Sequence, residues 1–436
     1  MFRKAIPVWE KGKETEMNWF LRFTAQVPRE GTIRIAAGSA YRVFVDGGFL
    51  CAGPARAAHG FSRVDEVPYR CEGQGMCAIA VEAGSYCCNS FEYLDEPGFL
   101  QCEVESGGEI AAATGCFGFT AERMTEKKQR VERYSFQRAF CEEYALTGKS
   151  EIERCFLENY LLPERFPHIP EGMVPMCYPA DHTDGVFIPN WAMWLVLELA
   201  EYLERSGDRE LVGRFRPRVY GLIRYFDRFL NGDGLLEKLE SWVFVEWSKA
   251  NDLVQDVNYP SNMLYAKMLD CAGALYGNEA LRERSRAMQE TIRAQSFDGA
   301  FFRDHAVRRD GRLSVEPERT ETCQYYAFFC GTARREDGRF AGLWRTLTED
   351  FGPQRRQTGA HPDVFFSNAF IGNYLRLELL YRAGLFGSLR REIAGYFASM
   401  AERTGTLWEH DSPTASCCHG FASHVVCWLD GMASGA

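Results

Sequence analysis

The sequence predicts a multidomain β + α protein: an N-terminal antiparallel β-sandwich over residues 1–120, a linker over 121–150, and a ring of helical hairpins over 151–436. Three observations carry this reading. Up to about Thr120, apolar and polar residues alternate in short runs broken by Gly and Pro, the period of strands with one buried face. After Lys149, apolar residues recur every three or four positions, the period of helices. Loops between the helical segments alternate between short polar turns such as SGDRE and longer stretches rich in Trp, Asp, His and Pro. That alternation suits helical hairpins closed into a ring, with the long loops gathered at one end to build a site.

In chain order the strand runs are FLRFTAQV, TIRIAA, YRVFVDG, MCAIAVEAG, FLQCEVE and EIAAATG. Turns this close together favour a sandwich. YRVFVDGGFLCAGPAR reads as a hairpin, because Asp46, Gly47 and Gly48 supply the positive φ angles that a tight turn requires. From Ala121 to Gln137 the charges crowd together in ERMTEKKQRVERYSFQ, which reads as a linker or linking helix.

Helical periodicity marks segments near 151–162, 189–205, 211–230, 259–276, 279–296, 319–332, 339–350, 369–383, 386–403 and 416–431, about ten helices. WVFVEWSKAND, which follows DGLLEKLE, reads as a strand pair inserted at one end of this array.

Composition excludes several classes. At 436 residues the chain exceeds one ordinary core. No apolar run approaches the roughly 20 residues of a membrane helix, and the net charge of -10 opposes phosphate backbones, so neither a membrane nor nucleic acid is expected as partner. The opening MFRKAIPVWEKGKETE turns polar where a signal peptide would turn apolar, so a cytoplasmic protein is expected. Most of the sixteen cysteines are scattered singly among apolar residues, as at Cys271, Cys323 and Cys330, and read as reduced core thiols. The adjacent pairs Cys87/Cys88 and Cys417/Cys418 lack the CxxC spacing of a zinc chelate, so no metal and no cofactor is expected.

Three long loops concentrate chemistry. MCYPADHTDGVFIPNWAMW holds Asp181, His182, Asp184, Trp191 and Trp194; SWVFVEWSKANDLVQDVNYP holds Trp242, Glu246, Trp247 and Asp252; GTLWEHDSPTASCCHG holds Trp408, Glu409, His410, Asp411 and His419. Carboxylates flanked by tryptophans suit sugar chemistry. A pyranose stacks its apolar face on an aromatic ring, and two acids run glycosidic cleavage. Glu409 beside Trp408 is either such an acid or a residue near a helix N-terminus whose neighbour is core, and the residues alone leave these equal. Asp181-His182-Thr183-Asp184 reads better as a helix-capping turn than as a metal site. In an extended chain Glu246 shares the face of Trp242, with Trp247 opposite, a geometry that allows a pocket wall. His419 and His424 lie five apart, so they form no helical metal pair. His419, at a helix start, either bonds a sugar hydroxyl or orients Glu409.

GTLWE followed by SxxHGFASH, YPADHTDGVFIPNWAMW, and VFVEWSKAND after DGLLEKLE together resemble the α-L-rhamnosidases of glycoside hydrolase family 78 and their six-hairpin relatives. SAYRVFVDGGFLCAGPAR and RVERYSFQRAFCEEY resemble that family's accessory β-domain and the passage after it. The resemblance implies an (α/α)6 barrel preceded by β-domains, and hydrolysis of terminal α-L-rhamnosides with inversion. It implies Glu409 as general base. Trp191, Trp242, Trp247 and Trp408 are then expected as stacking walls, and Asp181, His182, Asp252 and His419 as sugar-binding residues, with Glu246 or Asp181 as the acid.

The chain departs from the family at one place. A motif like CPxRExxGW, which carries the family's acid on the first hairpin, is absent, and FCEEYALTG runs straight into KSEIERCFLENY. The six-hairpin barrel is therefore expected to be incomplete, with the joint near Ala145 to Lys149. Cys418 and Glu246 also stand where the family often has Asn and Asp. The alternative is a catalytically inactive, carbohydrate-binding or vestigial relative. A missing hairpin exposes apolar helix faces, which predicts a homodimer, a domain contact or aggregation.

Overall fold

The computed structural model describes residues 1–58, 60–86, 96–125, 147–176, 178, 185–368, 371–412, 415–417 and 419–434. It divides into two compact units, Met1–Ser135 with Cys177–His182, and Phe136–Met176 with Thr183–Ala436.

Among the described residues of the first unit nine strands run in chain order: β1 (Trp19–Pro28), β2 (Glu30–Ala37), β3 (Ala40–Val45), β4 (Gly48–Gly53), β5 (Asp65–Arg70), β6 (Met76–Ser85), β7 (Leu100–Ser106), β8 (Glu109–Ala113) and β9 (Thr120–Arg123). They form two antiparallel sheets, ordered β4-β3-β6-β1-β9 and β5-β2-β7-β8. Alternate residues of both sheets meet in one core: Phe23, Ala25 and Val27 of β1, Ile33 and Ile35 of β2, Ile79 and Val81 of β6, Cys102 and Val104 of β7. Period-two alternation therefore set both the strands and their inward face. The β3–β4 turn is the expected one. Asp46 and Gly47 take φ of 46° and 81°, the two successive positive angles of a hairpin turn whose twist matches its strands. The charged stretch read as a linker opens with β9, which pairs with β1. Its remainder from residue 126, and the expected joint at 145–146, lie outside the described residues.

In the second unit the helices are α1 (Glu151–Asn159), α2 (Pro189–Ser206), α3 (Arg209–Arg214), α4 (Arg216–Asp227), α5 (Tyr259–Tyr276), α6 (Glu279–Ser296), α7 (Glu321–Phe329), α8 (Ala341–Arg345), α9 (Arg355–Thr358), α10 (Gly372–Arg382), α11 (Phe386–Glu392), α12 (Ala398–Thr404) and α13 (Val425–Ser434). The turns that follow α8 and join α11 to α12 are wider helical turns, and a tight turn leads into α13, so α8, α11–α12 and α13 extend into longer runs. Each of the ten segments read from periodicity corresponds to such a run. Starts and stops follow ordinary capping chemistry: the side chains of Asp208, Asn258 and Thr320 accept the N–H of Leu211, Ser261 and Cys323, and Gly207 and Gly277 end α2 and α5 in the left-handed region.

Depth alternates along the chain. Every residue of α7 is buried, and α5 is buried over most of its surface, whereas α6 buries one stripe: Leu281, Ser285, Met288, Gln289, Ile292 and Ser296. Helix α2 packs on α5, α5 on α7, and α7 on α10, while α5 and α6 form a hairpin. Inner helices are thus buried on most sides, with polar residues such as Asn262, Glu321 and Gln324 inside, and outer ones are amphipathic. A short sheet of β10 (Val257–Asn258), β11 (His305–Arg309) and β12 (Arg312–Val315) sits among the loops.

The expected strand pair in WVFVEWSKAND is not formed. Two of its central backbone N–H groups are taken by side chains: Phe244 donates to Asn190 Oδ1 (3.2 Å) and Val245 to Asn251 Oδ1 (2.9 Å), and the stretch ends in a tight helical turn, Lys249–Asp252. An alternating apolar run needs a partner strand to become sheet. Here two buried or half-buried amides replace it.

Candidate active site

Three segments of the second unit converge: the loop 241–247, residues 367–368 and 371–372 at the entrance to α10, and the segment 408–411. The first is fastened by Asn190, which stands at the start of α2, is 1% exposed, and donates to Ser261 Oγ at 2.8 Å while accepting from Phe244. An aromatic series is gathered here, buried at Phe244 and exposed at Trp242. Phe244 lies edge-on to Trp191, Trp242 and Trp247, with ring centres 6.2, 5.6 and 4.9 Å away, and Trp242 and Trp247 are 5.8 Å apart. Trp242 and Trp247 therefore share one cluster, contrary to the alternation argument, because the segment is not a strand.

Glu409 meets this cluster. Trp247 Nε1 donates to Glu409 Oε1 at 2.9 Å, and the His410 ring lies 5.8 Å from that of Trp247. Glu409 is half-buried, and its own N–H donates to Ser416 O. His419 reaches the same place through its N–H bond to Leu407 O. Burial lowers its imidazole below the usual histidine range, the nearby Glu409 charge opposes that, and His410 adds to it. A mainly neutral imidazole beside a carboxylate offers both a donor and an acceptor for hydroxyls.

Trp408, expected as a stacking wall, is instead a core residue. It is 7% exposed, packs with Leu377, Leu380, Met400, Val425 and Trp428, and donates from Nε1 to Thr404 Oγ1 at 2.8 Å. Trp408 is thus buried, while its neighbour Glu409 is half-buried and reaches the Trp247 indole. His424 is likewise a core histidine, wedged edge-on between Tyr374 and Trp428.

Glu246, expected as a catalytic acid, is fully buried, and both its oxygens are occupied by backbone amides. Oε1 accepts from Trp247 N (3.0 Å) and Ile371 N (3.2 Å); Oε2 accepts from Asn368 N (3.4 Å) and from Gly372 N. Burial pushes its carboxyl up to about 7 against the pull of these four donors. The role this geometry supports is that of a fastener holding the entrance to α10. Gly372 is required for the approach: a Cβ there would fall 2.6 Å from Ser367 Cβ and closer still to Glu246 Oε2. A second buried carboxylate, Glu321, holds the same entrance through Ser367 N (3.3 Å) and Oγ (3.1 Å), and is itself paired with the buried Arg355.

Asp252, expected to bind sugar, is exposed and paired with Lys249 at 3.1 Å, an ion pair of the surface. Asp181 and His182, with Asp184 and Cys418, lie outside the described residues. No group of His, Cys, Asp and Glu fit to hold a metal occurs among the described residues.

Sequence reasoning missed Asn368. Its Nδ2 donates to Trp247 O at 2.8 Å and its Oδ1 accepts from Asp411 N at 2.8 Å. The one local signal was Ser-Asn in a Phe-rich stretch just before a helix start. The rim of the cluster carries exposed Trp242, Phe365 and Phe366, with Arg356 both near the Phe366 ring and 3.9 Å from Asp411.

No protein-family profile and no curated protein matches the chain in sequence. Solved structures do match it in shape. A GH78 family rhamnosidase of Bacillus sp. GL1 is 17% identical, with 99% of this chain aligned to 47% of that one at a TM-score of 0.52. A native α-L-rhamnosidase from Aspergillus terreus is 10% identical over 98% of this chain and 76% of its own, at 0.63. A Streptomyces avermitilis α-L-rhamnosidase complexed with L-rhamnose is 10% identical over 95% and 61%, at 0.59. The chain thus spans about half the length of the Bacillus enzyme and about three quarters of the Aspergillus one. At these identities the likeness is one of architecture: antiparallel β-sheets followed by a helical array give this chain the fold of the α-L-rhamnosidases.

Proposed function

We propose that this chain is a glycoside hydrolase acting on terminal α-L-rhamnosides, with Glu409 as general base. The observation that carries the reading is the Trp247–Glu409 bond within the aromatic cluster of Trp191, Trp242, Phe244 and Trp247, in a chain that shares its fold with α-L-rhamnosidases. The indole donor holds one carboxylate oxygen, leaving Oε2 to take a proton from water as that water's oxygen bonds to the anomeric carbon. The bond to the leaving oxygen breaks on the opposite face, with inversion, and that oxygen departs with the bonding electron pair and takes its proton from solvent. The aromatic faces stack the sugar, and His419 supplies hydroxyl contacts.

A second reading, sugar binding with little turnover, is favoured by the state of Glu246. Both of its oxygens are bound to amides, which removes it as proton donor to the leaving group. The two readings separate on a series of α-L-rhamnosides with leaving groups of graded acidity. A base-only hydrolase cleaves nitrophenyl rhamnosides, whose leaving groups need no protonation, and falls away steeply toward alkyl and sugar leaving groups. An enzyme with a working acid shows a shallow dependence. Rhamnose binding without cleavage of any of them, or equal cleavage by the Glu409→Gln variant, removes the proposed role.

A further inference from the structure

We infer that Asn368 is a positioning residue, clamping the loop that bears Trp247 to the segment that bears Glu409. The inference rests on the reading of Glu409 as the working carboxylate. One side chain spans two main chains, with Nδ2 on Trp247 O and Oδ1 on Asp411 N, each at 2.8 Å. Trp247 is itself the residue whose indole holds Glu409, and Asp411 follows Glu409 by two positions. The three bonds close a ring of contacts, Trp247 side chain to Glu409, chain to Asp411, Asn368, and back to the Trp247 carbonyl. The His410 ring against that of Trp247 adds a softer, undirected contact between the same two segments.

The chemistry of the clamp is specific. A carboxamide has a donor end and an acceptor end, and this position uses both at once; aspartate would set a second acceptor against the Trp247 carbonyl, and leucine would offer neither. The clamp is also anchored from behind. Glu246 accepts from the N–H of Asn368, Ile371 and Gly372, and Glu321 accepts from Ser367, so the turn bearing Asn368 is held by two buried carboxylates. Glu246 thereby acts on the cleft through Asn368.

The test compares full-length wild-type chain with Asn368→Ala, Asn368→Asp and, as a control for general destabilisation, Asn278→Ala, which removes the cap of α6. The first readout is the indole N–H resonance of Trp247 in tryptophan-labelled protein, identified by its loss in Trp247→Phe. The clamp requires that both Asn368 variants move this resonance toward that of a free indole and that Asn278→Ala leaves it in place. The second readout is turnover of a nitrophenyl α-L-rhamnoside, where kcat should fall about tenfold to a hundredfold in the Asn368 variants, the cost of misplacing a reacting group by about an ångström, with KM changed less than kcat. An unmoved resonance overturns the clamp, and a moved resonance with unchanged kcat overturns its role in positioning. If the wild-type chain turns over no rhamnoside, the functional reading fails instead, and the resonance alone decides whether the clamp exists.

Discussion

Trp247 Nε1 lies 2.9 Å from Glu409 Oε1, joining residues 162 positions apart in the chain. A hydrogen bond to a charged group contributes roughly 1.5–3 kcal/mol. Trp247→Phe keeps a ring and removes the donor, so kcat on an aryl α-L-rhamnoside is expected to fall by about tenfold to a hundredfold. Steady-state kinetics on the variant check this, and an unchanged kcat would leave the bond without a catalytic role.

The tryptophans divide by location. Trp408→Ala empties a core site and is expected to destabilise the protein by about 3–5 kcal/mol. Trp242, at 37% exposure, carries little of the core, so Trp242→Ala should shift stability by under about 1 kcal/mol while weakening rhamnose binding. Denaturant melts and calorimetric titration with rhamnose read the two effects; equal destabilisation by both substitutions would contradict the division.

Glu246 links stability to pH. Folding raises its carboxyl from 4.5 to about 7, so its contribution is fully present below about 4.5 and is lost as pH rises through about 7. At about 1.4 kcal/mol per pKa unit, the loss is of the order of 3 kcal/mol. Glu246→Gln cannot titrate. The stability difference between wild type and this variant should therefore narrow from pH 4.5 to pH 8, and a difference independent of pH would exclude the linkage.

Glycines offer a steric contrast. Gly372→Ala places a methyl against Glu246 Oε2 and Ser367 Cβ, and overpacking of this kind costs about 1–3 kcal/mol. A methyl at Gly213, inside α3, would meet nothing within 4 Å, so Gly213→Ala should be stabilising by up to about 1 kcal/mol. Thermal melts of the two variants should move in opposite directions.

The sandwich and the helices were legible because each rests on a repeating pattern: Ile33, Ile35 and Ile79, Val81 alternate into one core, and Leu281, Ser285, Met288 and Ile292 mark a single stripe. Glu409 stood beside Trp408 in sequence with two readings open, and its aromatic partner is Trp247 instead. What periodicity does not carry is which side chain satisfies which backbone group. WVFVEW has the pattern of a strand, yet Asn190 and Asn251 take two of its N–H groups and keep it from pairing. Glu246 resembled an acid for catalysis because its type and neighbours fit; that four amides from its own loop and the α10 entrance converge on it depends on contacts up to 126 positions away. Asn368 was missed for the same reason, since both of its partners come from distant loops.

Trp408 and Glu409 are adjacent, and one faces the core while the other faces the cleft. Their roles are fixed by count as much as by kind. Removing or adding one residue between the end of α12 and Trp408 would set another side chain against that core in place of the indole and move the carboxylate off the Trp247 indole. Thr406 bonds Cys417 O and Leu407 packs against the same core, so the segment is held along its length. Across related chains, this stretch should therefore remain free of insertions and deletions.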